Sequence, residues 1–521
     1  VSELKSIKSP VYWQDIVLSF RQPDKRTTRA KERLSACRLP AIGMLQAALT
    51  WRLTDIASDT EALDINGGHV VIDHLLYGGA ADAAALRLYG QSFSGAADAY
   101  PVVAAVLDSA GGLALVRFFS LLCMLVAGLC VARIGRHLFT ENIGLLAALV
   151  FALTGSVLFI GKLATDDAPC LALVALATAL TVTGRSTISA AGAGALLALA
   201  VVTAYAGLTL VPFVLLLAFL ATPAADDGDG SRTLPRGGLR GGTATLTLVG
   251  LVAVGYRRWD SGVADGVRLA VTGRPAQYPA AVSAITGSLL DDIGLVCALA
   301  VGGIALLLVR RSWARALVLA VMAGAGLAAA ADSYRIGEPS PLGGNTAFTG
   351  LFCAVPAAVA LSWALSKRSR ITVLGLALLW LLLIDGLWRS NVAYSWPSSI
   401  LGPVNKIKSL GISGQYFSFD SDAGEYYSKG RPAIAWYPAA EAYSIFTHGA
   451  SRVRAAEKSH KFTGFLFQTM SLDARDRDEL HVLQRSLAAD SYYRETATFP
   501  VSAAGPARWQ LWIHYPAGNR G

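Results

Sequence analysis

The sequence predicts an α-helical polytopic membrane protein with a small α/β domain at its C-terminal end. Three observations predict this. The 521 residues are 54% hydrophobic and only 16% charged, with a mean hydropathy of +0.47, whereas soluble domains carry about 25% charged residues. Long apolar runs recur between Leu39 and Leu387, with charge confined to the gaps between them. From Arg389 onward polar and charged residues alternate with short apolar runs instead.

Residues 1–38 form a basic segment in which Lys5, Lys8, Arg21, Lys25, Arg26, Arg29, Lys31, Arg33 and Arg38 crowd before the first span. An amphipathic patch from Val11 to Phe20 could lie on the inner membrane surface. The first apolar run begins only near Leu39, which predicts no cleavable signal peptide. Residues 39–388 read as the membrane domain. Its first span, 39–53, is short against the ~20 residues a bilayer needs. Further spans are predicted at 111–132, 143–160, 168–183, 188–203 and 208–221, then at 243–256, 293–309, 314–331, 347–365 and 371–387. That makes about eleven transmembrane helices.

Arginines and lysines punctuate alternate loops: Arg133/Arg136, Arg185, Arg232/Arg236/Arg240, Arg310/Arg311 and Lys367/Arg368/Arg370. All fall on the side of the basic N-terminus, which the positive-inside rule makes cytoplasmic. The first loop (54–110), 161–167, 257–292, 332–345 and everything after Trp388 are then extracytoplasmic in a plasma (inner) membrane. The stretch 222–242 reads as a flexible inner linker. Residues 389–521 read as an extracytoplasmic α/β domain. It has helices at 397–410, 420–427 and 476–489 and strands at 414–419, 462–468, 496–501 and 508–514.

Two function classes are excluded. The six cysteines lie in or beside apolar runs without a CxxC pair, which argues against a disulfide framework or a zinc site. The net charge of +9 is a topology signal rather than a surface for nucleic acid.

Three features converge on the outer face. The first loop, LTDIASDTEALDINGGHVVIDHLLYGG, carries Asp55, Asp59, Glu61, Asp64, His69, Asp73 and His74. Within it, Asp59-Thr60-Glu61 could supply a general base or hold a divalent cation; the same residues could equally cap a helix. Asp166-Asp167, in GKLATDDAPC, stand at a tight outer turn where two acids are costly unless paired or solvated. Their alternative role is to cap the next span, whose Pro169 suits a first helical turn. Arg257, Arg258, Arg268, Arg274 and Arg335 lie on the same side and could meet phosphates, or anchor the interface. His69 and Asp73 are four apart, too few ligands for a metal and suited to a surface pair.

These residues carry a resemblance. A short first span is followed by the acidic loop with its helix GGHVVIDHLLYGG, then SFSGAADAYP, GGLALVRFFSLLCMLVAGLCVARIGRHLF and GLLAALVFALTGSVLFIGKLATDDA, with a late soluble domain. The chain resembles the GT-C membrane glycosyltransferases of the protein-mannosyltransferase and aminoarabinose-transferase type, especially the long actinobacterial members. The likeness is closest over residues 46–172 and returns in SWPSSILGPVNKIKSLG and RWQLWIHYP.

The resemblance places the family's first acidic motif on Thr60-Glu61, where Glu61 keeps the acid and Asp59 stands one residue before the altered position. It places the second acid on Asp167, beside Asp166, and a following His on His69. Where relatives carry basic or His residues before the tenth span, this chain reads PSPLGGNTAF.

The implied activity moves a sugar from a polyprenyl-phosphate donor to an extracytoplasmic glycan, lipid or protein acceptor by an inverting single displacement. Glu61 or Asp59 would be the base. Asp167 would orient the acceptor or, with Glu61, help hold a divalent cation, with no organic cofactor expected. His69 and Asp166 would meet the substrate, and Arg274 or Arg335 the phosphate. The competing expectation is a non-catalytic homologue or a lipid-linked glycan transporter. It is disfavoured because transporters bury their charges at mid-membrane.

Overall fold

The computed structural model describes residues 25–50, 55–56, 59–78, 99–184, 186–220, 233–258, 281–336, 344–366, 370–393, 400–418, 420–431, 433–437, 455, 457–469, 474–500 and 508–515. Helix α1 (Lys25–Thr50) leads into the bundle, and α2 (Asp59–Tyr77) is the helix of the first loop. Helix α3 (Ala99–Leu138) is two helices joined across Gly111 and Gly112. Gly112 has φ of 66°, a conformation that costs glycine little and other residues more. The kink separates an arm packed on the C-terminal domain from the arm that continues into the apolar bundle.

Helix α4 (Glu141–Leu153) starts with the Thr140 hydroxyl accepting the Ile143 amide at 3.4 Å. The span expected at 143–160 is interrupted at Thr154, which is extended, and resumes as α5 (Gly155–Ile160). The turn after α5 carries Lys162, Asp166 and the start of α6 (Asp167–Thr183). Next come α7 (Thr187–Thr203), a 3-10 turn (Tyr205–Leu210), α8 (Val211–Leu220) and α9 (Thr233–Arg258).

Part of the expected flexible linker is therefore helix: residues 233–242 belong to α9, and 221–232 lie outside the described residues. Arg240 explains why this segment is held. It is buried, and its Nη2 donates to the Thr181 carbonyl at 2.6 Å in the last turn of α6, where a helix leaves carbonyls unsatisfied.

Helices α10 (Val282–Val309), α11 (Trp313–Ile336), α12 (Gly344–Leu365) and α13 (Arg370–Trp388) complete the bundle, and α13 runs into a π turn (Arg389–Ala393). Helix α10 starts eleven residues before the expected 293, so part of the predicted 257–292 loop is helical. Asp291 and Asp292 lower the hydropathy there, and the structure neutralises Asp292 with Arg389 at 3.0 Å. Among the described residues α3, α10, α11, α12 and α13 are long and apolar enough to cross a membrane, and five shorter apolar helices accompany them. The chain is a multi-pass membrane protein. Helix α12 runs through its middle, with Phe348, Leu351, Phe352 and Val355 buried against Phe151 of α4 and Leu171 and Val174 of α6 in one apolar core.

The C-terminal domain holds α14 (Leu401–Leu410), β1 (Gly414–Ser418), α15 (Ser421–Ser428), β2 (Ile434–Trp436), β3 (Gly464–Gln468), α16 (Ala474–Ala489), β4 (Tyr493–Pro500) and β5 (Arg508–His514). The sheet order is β2-β1-β3-β5-β4, with β1 parallel to β2 and β3, and β5 antiparallel to β3 and β4. The sequence expectation missed β2, a three-residue strand in a loop-like stretch.

Strand alternation splits the apolar side chains between two faces. Phe417, Phe465, Phe467 and Trp512 pack with Leu480, Leu483 and Leu487 of α16. Tyr416, Leu466, Leu511 and Ile513 face the other way and share a core with Ile56, Ala62 and Ile65 of the first loop, Tyr100, Ala104 and Val116 of α3, and Ala164. The sheet domain, the loop helix and the acidic turn thus form one packed unit at one end of the bundle.

Candidate active site

Helix periodicity sets the site. Glu61 and Asp64 are one turn apart on α2, so they share a face, and both are buried, Asp64 at 4% exposure. The helix approaches α3 closely at Gly68, where an added Cβ would lie 1.9 Å from the Pro101 carbonyl oxygen.

Glu61 is fully engaged. Arg117 of α3 donates to its Oε1 from Nε at 3.1 Å and to its Oε2 from Nη2 at 2.9 Å, a bidentate clamp. The Ala164 amide also donates to Oε1, at 2.6 Å. One carboxylate therefore ties the loop helix to α3 and to the turn that carries Asp166.

Asp64 stands differently. Its Oδ2 is buried with no hydrogen-bond partner among the described residues. Burial raises its proton affinity well above the usual carboxylate range, and Asp166, Asp167 and Glu61 raise it further, in that order. The Asp166 carboxyl is pushed up too, first by burial and then by Asp167. Asp166 is the N-cap residue of α6, and its carbonyl accepts the Cys170 amide. Asp167 opens the helix, where the dipole favours an anion, and the Thr165 hydroxyl donates to it at 3.4 Å. Asp64 is thus the residue at which Glu61, Asp166 and Asp167 come together.

The remaining expected residues are placed as follows. Asp59 begins α2, and its side chain lies outside the described residues, as does Arg274 altogether. His69 pairs with Asp108 of α3 at 3.0 Å rather than with Asp73. Arg335 is half-exposed and donates to Asp332 one turn earlier at 2.6 Å. Asp385 is bound by Arg389, which also binds Asp292. Among the described residues no group of three His, Cys, Asp or Glu side chains converges where a cation could sit. These carboxylates do not by themselves fit a metal centre.

Two residues carry more than the sequence expectation gave them. Asp64 was one acid among seven ionisable groups, and its spacing from Glu61 was the available signal. Lys162, buried in the turn before Asp166, donates to the Ser390 carbonyl and to Asn391 Oδ1, each at 2.9 Å, and so fixes the turn against the π segment after α13.

The profile of the Dolichyl-phosphate-mannose-protein mannosyltransferase family matches residues 103–227. Two solved membrane structures superpose over most of the chain. ArnT from Cupriavidus metallidurans bound to undecaprenyl phosphate matches with TM-score 0.53 at 12% identity, covering 94% of this chain and 98% of that one. The Archaeoglobus fulgidus oligosaccharyltransferase in the apo form matches with TM-score 0.52 at 12% identity, covering 90% of this chain and 74% of that one. The chain has the GT-C fold. No curated protein sequence matches it.

Proposed function

We propose that the chain is a membrane glycosyltransferase that moves a sugar from a polyprenyl-phosphate donor to an acceptor hydroxyl, with Asp64 as the general base. The observation that supports this best is the unpartnered, buried Oδ2 of Asp64 amid Asp166 and Asp167. A base is more useful as its proton affinity approaches the working pH, and burial beside other acids moves a carboxylate that way. In the displacement, the acceptor oxygen bonds to the anomeric carbon while its proton passes to Asp64. The bond from that carbon to the phosphate oxygen breaks, and the electron pair leaves with the polyprenyl phosphate. One base and one displacement invert the anomeric centre.

In this reading Glu61 positions rather than reacts, because its oxygens are committed to Arg117 and Ala164. Asp167 and Asp166 orient the acceptor, and His69 braces the loop helix from behind. Lys162 is engaged by Ser390 and Asn391 and Arg335 by Asp332, so neither is assigned to the leaving phosphate. The site faces the extracytoplasmic side, since the basic loops lie at the other end.

The test is transfer in membranes containing the full chain, supplied with labelled polyprenyl-phosphate sugars and envelope glycan, lipid or peptide acceptors. Release of polyprenyl phosphate together with a glycoside of inverted configuration supports the reading. Retention of every donor without transfer supports a non-catalytic lipid-linked glycan carrier instead.

A further inference from the structure

The opposite end of the bundle holds a groove that the proposed reaction does not use. It has a volume of about 1330 Å³ and lies between α1, α3 and α4, walled by Leu39, Ile42, Leu125, Leu129 and Leu145. Small-molecule sites occupy roughly 300–1,000 Å³, so this space suits a ligand carrying hydrocarbon chains.

Its distance from the acids is fixed by α3. Arg117, which clamps Glu61, lies nineteen residues before Arg136 at the groove, or about 28 Å along a helix. A donor whose phosphate reaches the acid cluster cannot place the same phosphate here.

Two observations inside the groove point to its occupant. Gln46 lines it, is only 2% exposed, and its Nε2 has no hydrogen-bond partner among the described residues. A buried amide donor without an acceptor is destabilising, and an acceptor on a ligand would relieve it. At the mouth, Arg133 and Arg136 are exposed, one helical turn apart, and neither pairs with a carboxylate among the described residues. Glu141, also at the mouth, occupies the first turn of α4, where the helix dipole already favours it. An apolar trough, one inward-facing amide donor and a pair of guanidinium groups at the interface together describe one chemistry.

We propose that this groove binds an anionic two-chain phospholipid of the adjoining leaflet. The phosphate lies between Arg133 and Arg136, an ester carbonyl accepts from Gln46 Nε2, and an acyl chain follows the leucines. Basic pockets between membrane helices bind anionic headgroups, and each further basic residue near the surface strengthens that attraction.

The test is native mass spectrometry of the full-length protein, purified with defined lipids and measured side by side with phosphatidylglycerol, phosphatidylcholine and undecaprenyl phosphate. The wild-type chain should retain phosphatidylglycerol over phosphatidylcholine by roughly tenfold or more. The double variant Arg133→Gln/Arg136→Gln alters exposed positions only and should lose that preference while still folding. Gly128→Leu, whose Cβ would stand 3.7 Å from Gln46 Oε1, should reduce retention of both phospholipids by filling the groove. Equal retention of the two phospholipids by the wild-type chain would overturn the proposal, as would a preference that survives in the double variant. A larger loss of undecaprenyl phosphate than of phosphatidylglycerol on going from the wild-type chain to the double variant would overturn it in favour of a polyprenyl ligand.

Discussion

Arg117 grips both carboxylate oxygens of Glu61, through Nε at 3.1 Å and Nη2 at 2.9 Å, in a pocket sealed from solvent. With the Ala164 amide on the same carboxylate, the pair holds α2, α3 and the acidic turn in one register. Removing one partner of a buried ion pair strands the other charge and costs roughly 3–5 kcal/mol. Glu61→Gln should therefore lower thermal stability clearly. Any loss of transfer should track the loss of folded protein. Unfolding curves in detergent, measured beside transfer at matched folded fractions, check this.

Asp166 offers a pH test. Its folded-state proton affinity is raised by burial and by Asp167, so between the unfolded carboxylate value, about 3.9, and the raised folded value the native state binds more protons than the unfolded one. Stability from this group then falls as pH rises through that window. Asp166→Asn removes the ionisation and should raise the melting temperature at neutral pH, with the gain shrinking toward pH 4. Thermal unfolding of both proteins from pH 4 to 8 reads it directly.

How far the sequence exposed this site is instructive. Hydropathy and charge placement were enough for the bundle, and the short alternating runs after Arg389 were enough for four of the five strands. The site residues were harder. Glu61 stood out because it matches a family position, yet its partner Arg117 lies 56 residues away in an apolar run, where an arginine reads as an interruption. Asp64 and Asp166 become neighbours only when α2 folds onto the turn after α5, which no local pattern encodes. The start of α10 was hidden for a similar reason: Asp292 is held in a helix there by Arg389, which reaches it from 97 residues downstream.

Asp108 fastens the sheet domain. Burial works against its charge, but hydrogen bonds from His69, Tyr426 and Lys429 hold the carboxyl down at about 2. It sits on the arm of α3 before the Gly111–Gly112 kink, where that arm packs on the C-terminal domain. A depressed carboxyl contributes stability that is present above about pH 4 and is lost as pH falls toward 2. Asp108→Ala should cost roughly 1–3 kcal/mol at neutral pH and expose the 389–521 region to limited proteolysis. Digestion time courses of the two proteins compare this.

The central claim, that Asp64 is the base, is tested most directly by the initial rate of sugar transfer in membranes for Asp64→Asn against wild type. Expression, thermal stability and donor retention are measured on the same preparations. The amide is isosteric and cannot take the acceptor proton. The account predicts a rate lower by about 10²–10⁴-fold, with stability equal to or above wild type because a buried, repelled charge is gone. Transfer by Asp64→Asn within about twofold of wild type, well short of any general-base contribution, would contradict it.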